Sequence, residues 1–433
     1  MTRWRRWAQE IAGRLWVRAA LYGLLGVATA IISAFAEPFL PWRFSTKLDA
    51  DAVSSVLNVI ASSMLAVTTF SLSVMTSAYG SAASGATPRA TKLLMNDRVT
   101  HGALSTFIGS FLFSIVGIVM LKTGAYGDRG RVVLFAATIL VIALVVLALL
   151  RWIDHLLKLG RLGETTERVE AAARAALEAR LKAPYLGGER LKEEDRTPPA
   201  GSWEIRAGEV GYLRHVDMEE LARIAAGTDR GIRLSVLPGA FVFPDTPLLW
   251  LEPPEETGER AEEIRSGLRA AFSFGLERDY EQDPRFGLSV MSEIATRALP
   301  PTANDPGTAI GMIGRLAAML SLWGRGIAAA PAPEEAPAHP RVHVPPLRTA
   351  DLFDDAFMLI GRDGAGLIEV QLRLRKALLG LSRMGDAEFQ EAARVQAAMA
   401  LERAEAALTL EEDRRRLSAV TSEPDLPSRA SLR

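Results

Sequence analysis

Residues 132–150 read VVLFAATILVIALVVLALL, nineteen positions without a charge, a proline or a glycine. A helix of that length matches the hydrocarbon thickness of a bilayer, and a surface apolar on every side belongs in lipid rather than in water. The chain is therefore expected to be an integral membrane protein. Arg151, His155, Lys158 and Arg161 follow the run as a basic flank, which anchors the helix end at the interface and assigns it to the cytoplasmic side.

Three further apolar stretches, at about 19–35, 53–78 and 103–121, bring the expected number of transmembrane helices to four. Arg3, Arg5, Arg6, Arg14 and Arg18 precede the first stretch, which lacks the cleavage pattern of a secretory signal and reads as a retained helix. Its Gly26, Ala30 and Ala34 recur every four positions, the spacing that lets two transmembrane backbones approach closely. Arg89, Lys92 and Arg98 follow the second stretch and Arg151, Lys158, Arg161 and Arg168 the fourth. The other two loops mix signs, with Arg43, Lys47, Asp49 and Asp51 in one and Lys122, Asp128, Arg129 and Arg131 in the other. That bias places both termini in the cytoplasm of a bacterium, with the chain in its inner membrane.

The second stretch is rich in hydroxyls. Ser55, Asn58, Ser62, Thr69, Ser73 and Thr76 fall on helical steps and form one polar stripe, broken only at Leu65 and Ala66. In lipid such a stripe faces a packed helix, where Ser and Thr act as interhelical glue, or it lines a wet pathway with Leu65 at a hydrophobic constriction. No charged residue lies among these positions to couple transport to an ion.

The rest of the chain reads as a cytoplasmic α+β region. A connecting helix and linker (161–200) lead to a small β-rich module (201–256), whose short strands and Pro238-Gly239 turn resemble a barrel-sandwich hybrid of the lipoyl and biotinyl kind. No lysine occurs between Gly201 and Pro253, which excludes a prosthetic-group carrier. A helical subdomain (257–327), a Pro/Ala linker (328–349), C-terminal helices (350–420) and a disordered tail (421–433) complete the expected order.

Arg278, Asp279, Glu281, Asp283, Arg285, Asn304 and Asp305 concentrate polar chemistry between apolar runs of the helical subdomain. Asp283-Pro284 and Asp305-Pro306 have the form of helix N-caps with proline in the first turn. The same carboxylates, with Asn304, are the residue types that bind a small ion or a cytoplasmic ligand, so both readings stand at this point.

Net charge is −1 and no basic stripe is interleaved with aromatics, which argues against nucleic acid as a partner. The chain has no cysteine and five scattered histidines. His339 and His343 have metal-like spacing, but the neighbouring prolines make that segment extended. No Ser-His-Asp order, Walker loop, dinucleotide fingerprint or HExxH is present, so no enzyme class and no cofactor is indicated.

The words ASSMLAVTTFSLSV, PRATKLLMNDR, GYLRHVD, EQDPRFGL and ANDPGTA together resemble a bacterial family of predicted membrane proteins, domain of unknown function 2254, from near the N-terminus to about Leu322. The resemblance implies a four-span N-terminal region and a cytoplasmic part, and no established reaction, substrate or cofactor. The functional expectation is a homo-oligomeric, channel-like or transport-related protein with a cytoplasmic gating or vestibule domain. A membrane-anchored scaffold or ligand sensor is the alternative.

Overall fold

The computed structural model describes residues 15–35, 49–85, 87–95, 97–157, 162–253, 255–329 and 337–420. The first four N-terminal arginines, Arg43, Lys47, Lys158, Arg161, part of the Pro/Ala linker and the expected disordered tail lie outside these residues. The chain divides into two compact units, residues 1–165 and 166–433.

In the first unit, helices α1 (Leu15–Phe35), α2 (Ala50–Gly85), α4 (Arg98–Lys122) and α5 (Asp128–Leu156) pack together, and a short α3 (Pro88–Met95) lies between α2 and α4 in sequence. Among the described residues three segments are long and apolar enough to cross a membrane: Ala50–Ser81, Val99–Lys122 and Gly130–Leu156. The expected four spans are thus corrected to three. The apolar part of α1 covers only Ala19–Ile32. At 1.5 Å per residue it extends roughly 21 Å, against about 30 Å of hydrocarbon.

Helix α1 instead lies close along α4, and glycines make the approach possible. A Cβ added at Gly26 would stand 2.6 Å from the Gly109 carbonyl oxygen, and one at Gly109 2.9 Å from that of Tyr22. Ala30 is fully buried, and its carbonyl accepts a 2.6 Å hydrogen bond from the Tyr126 hydroxyl. Outward, α5 presents Ile139, Leu140, Leu144, Leu147 and Leu150, an apolar face suited to lipid.

The second unit starts within α6 (Leu162–Lys182) and is built on two sheets. Its strands are β1 (Gly188–Arg190), β2 (Trp203–Arg206), β3 (Gly211–Val216), β4 (Ile232–Leu234), β5 (Phe241–Val242), β6 (Pro247–Leu251), β7 (Phe272–Gly275) and β8 (His339–Val344). The larger sheet has the order β1-β8-β4-β6-β2, with β8 parallel to both its neighbours and the other pairs antiparallel. The smaller one is antiparallel, β5-β3-β7. Both are open.

The expected barrel-sandwich module is therefore not formed. Strand β3 leaves for the smaller sheet, and β4 takes its second partner from β8, far beyond residue 256. Strand β8 also occupies the stretch read as a Pro/Ala linker. Helices α7 (Met218–Thr228) and α8 (Gly258–Ala270) bury Leu221, Ile224, Ile264 and Leu268 against Ile232, Leu249 and Val342 of the larger sheet.

Helices α9 (Pro284–Arg297), α10 (Pro306–Ala329), α11 (Thr349–Phe353), α12 (Leu359–Asp363), α13 (Ile368–Leu381), α14 (Ala387–Ala407) and α15 (Glu411–Ser418) complete the unit. A π-helical turn, Asp354–Met358, joins α11 to α12. Phe353 meets the ring of Phe389 edge-on at 4.9 Å, which locks α11 to α14.

Candidate functional site

Helix α2 has two unlike faces. Val53, Leu57, Ile60, Ala61, Met64, Ser71 and Met75 are buried against the rest of the first unit. Ser55, Asn58, Ser62, Thr69, Ser73 and Thr76 are all exposed, as is Leu65 at 51%. The polar stripe thus lies on the outside of a single chain, and no described helix of the chain covers it. Three of its hydroxyls turn to their own helix: Ser62 donates to the Asn58 carbonyl, Thr69 to Ala66 and Thr76 to Ser73, each at 2.9 Å. This local bonding satisfies the hydroxyl protons and leaves oxygen lone pairs for a partner or for water. Beside the stripe, a groove of about 440 Å³ runs between α2 and α5, lined by Ser55, Val59, Ser63, Ile142 and Val146 among others.

The second group of expected residues gathers at the start of α9, though not all of them do. Asp283 caps this helix by accepting from the Arg285 amide at 3.1 Å, and Pro284 opens it. The Asp283 side chain is 2% exposed and is gripped by Arg278 through two hydrogen bonds, of 2.7 and 3.0 Å. Asp279 pairs with Arg214 of β3 and accepts from the Glu281 amide at 3.1 Å. Asn304 and Asp305 stand apart at the exposed start of α10, where Asp305 accepts from the Thr308 amide at 3.1 Å and its hydroxyl at 2.6 Å. These bonds hold the Asp305 carboxyl below its usual range.

Gln282, Arg180, Asp351 and Asp355, which the sequence did not single out, complete the network around Asp283 together with Arg285, which it did. Gln282 joins both backbone groups of Val216, accepting at 2.9 Å and donating at 3.2 Å, so the segment before α9 is tied to the end of β3. Arg180 of α6 donates to the Gln282 carbonyl at 3.0 Å, and burial lowers its pKa to about 10 against the opposing effect of Asp283. Arg285 bridges to Asp355 at 2.6 Å and Asp351 at 2.8 Å, which links α9 to α11 and the π-helical turn. Burial raises the Asp355 carboxyl, and its bond to Arg285 opposes the rise. With Arg180, Arg214, Arg278 and Arg285 set against Asp279, Asp283, Asp351 and Asp355, the charges balance. Among the described residues no three His, Asp or Glu side chains converge as a metal site requires.

A third cluster unites residues far apart in sequence within the first unit. Asp97 caps α4 by accepting from the Val99 and Thr100 amides, each at 3.3 Å, and its carboxylate faces Nε2 of His155 on α5. The His155 ring stacks on Trp152 at 5.8 Å between centroids, and the Trp152 indole donates to Ser71 of α2 at 2.8 Å. The local signal was partial: Asp97 has the form of an N-cap, and His155 reads only as part of a basic flank.

Comparison with known proteins agrees with the membrane assignment. The family model described as "Predicted membrane protein (DUF2254)" matches residues 12–379. The uncharacterized protein Rv1290c of Mycobacterium tuberculosis is 26% identical over 324 residues, covering 72% of this chain and 61% of its own length. The uncharacterized protein Mb1321c of Mycobacterium bovis is similar to the same extent. The chain thus spans less than two thirds of the length of these curated relatives. No solved structure matches it.

Proposed function

The chain belongs to the DUF2254 family of predicted membrane proteins, and on that premise we propose that copies of it associate through the polar face of α2 and enclose a narrow water-filled path in a bacterial inner membrane. The observation that carries this reading is the outward position of Ser55, Ser62, Thr69 and Thr76 on a helix whose opposite face is already packed. Hydroxyl stripes lower their free energy against one another or against water, and among the described residues one chain packs no helix of its own on this face. Leu65 interrupts the stripe as a dewetting neck. The second unit follows α5 and its basic flank, and by the positive-inside rule this reading takes it as a cytoplasmic gate or vestibule.

Single cysteines test the path directly, because the chain has none of its own. In membranes, Cys at Ser55, Ser62, Thr69 and Thr76 should react with a small polar thiol reagent, and Cys at the buried Leu57 should not. Leu65→Ser should raise solute leak from reconstituted vesicles, since a hydroxyl wets the neck. A monomer in nanodiscs whose entire stripe is protected would overturn the proposal. The membrane unit would then serve as the anchor of a scaffold or sensor, a reading favoured by the hydroxyls that bond to their own helix.

A further inference from the structure

The groove between α2 and α5 lies within two of the membrane-length segments, so whatever fills it comes from the bilayer or from another protein in it. From Ser55 to Met64 it follows α2 for about 14 Å at the helical rise, close to one leaflet of a hydrocarbon layer about 30 Å thick. Its place along the helix agrees with its length. The segment Ala50–Ser81 has 32 residues and, at roughly 48 Å, exceeds the hydrocarbon by about 9 Å at each end when centred on it. Ser55 then falls at the level of the lipid esters and Met64 near the midplane. Polarity follows the same order. Val59, Ile60 and Met64 of α2 and Ile142, Val145 and Val146 of α5 make the deeper walls apolar. Ser63 donates to the Val59 carbonyl of its own helix at 2.6 Å and asks nothing of a ligand. Ser55 is exposed at the shallow end, and among the described residues its hydroxyl has no acceptor.

We propose that this groove holds one acyl chain of a phospholipid, with the glycerol ester carbonyl accepting from the Ser55 hydroxyl and the chain end at Met64. Width decides between this occupant and a helix of a second copy. Spread over about 14 Å, a volume of about 440 Å³ leaves a cross-section of roughly 30 Å², less than half that of a helix 10–12 Å across with its side chains. A single extended hydrocarbon chain fits that section, and walls without charge or an unsatisfied deep donor suit it. This inference does not depend on a water-filled path, because both walls of the groove belong to one chain.

The experiment takes the full chain from nanodiscs of a single phosphatidylcholine into a mild detergent and measures the phosphorus that stays with it through repeated washing. The unmodified chain should keep about one phospholipid per chain, as a built apolar site does and a loose lipid shell does not. Val59→Trp and Val146→Trp, at exposed positions on the two walls, should fill the groove and lose that lipid. Leu140→Trp, on the outward face of α5 and outside the groove, should keep it. Ser55→Ala leaves the apolar walls intact and should release lipid several-fold faster. All four side chains are exposed, and melting temperatures matching the unmodified chain separate loss of lipid from loss of fold. No retained lipid in the unmodified chain, or equal retention in the groove variants and the Leu140 variant, would mean a lipid shell only and overturn the assignment. Lipid retained by Val59→Trp while the subunits separate would overturn it in favour of a second copy.

Discussion

Asp283 and Asp305 both precede a proline and both accept from the first turn of a helix, yet their surroundings give them different weight. Asp305 is an exposed cap bonded to Thr308, so Asp305→Ala should cost about 1 kcal/mol. Its carboxyl is held low in the folded chain, so this contribution is present above the ordinary carboxylate pKa of about 3.9 and is lost as pH falls through the lower folded value. Unfolding temperatures of the variant and the unmodified chain should differ near neutral pH and converge on acidification. Asp283 is buried under Arg278 with Arg180 nearby, and Asp283→Ala leaves those cations uncompensated, at about 3–5 kcal/mol. Equal losses from the two variants would contradict this ranking. Both helix starts were legible because a cap and a first-turn proline are local features. The burial that separates them was not, since Arg180 lies about a hundred residues from Asp283 and no local pattern encodes such a meeting. The same holds for Asp97 and His155, which α4 and α5 must pack to bring together.

Close approach of α1 and α4 rests on Gly26 and Gly109, and it predicts which glycines matter. Gly26→Ala sets a methyl group against the Gly109 carbonyl, a backbone atom that cannot rotate away, and should cost about 1–3 kcal/mol. Gly80→Ala on α2 meets nothing within 4 Å and should leave the detergent melting temperature unchanged or slightly higher. A similar loss from both would mean that helix propensity, and not the crossing, is being measured. The four-residue spacing around Gly26 was readable in sequence because packing of helices repeats with helical period. The number of spans was not, because the reading at 19–35 carries the first stretch past Ile32, where the apolar part Ala19–Ile32 ends short of membrane length. The sheets failed for the opposite reason. Strand spacing reveals strands but not partners, and the strand beside β4 begins more than a hundred residues after β4 itself.

For the whole molecule, the three membrane-length helices among the described residues, taken with the basic flanks read from the sequence, predict an order of sides. Reporter fusions after Asp97 and Leu157 should report cytoplasm, and fusions after Asp49 and Gly124 the outer face. The reverse pattern would move the second unit to the other side and remove its role as a cytoplasmic gate. The placement of β8 between β1 and β4 also bears on how the molecule is made. Strand β8 is internal to its sheet yet follows β4 by about a hundred residues and β1 by about a hundred and fifty, so β1 waits without a partner and β4 keeps a bare edge while that length is synthesised. At about 5–20 residues per second the ribosome needs on the order of ten seconds to deliver it. During that interval an apolar slot made for Val342 and Val344 is open to other nascent chains, and ribosome-bound intermediates ending before His339 should be those that most need a chaperone.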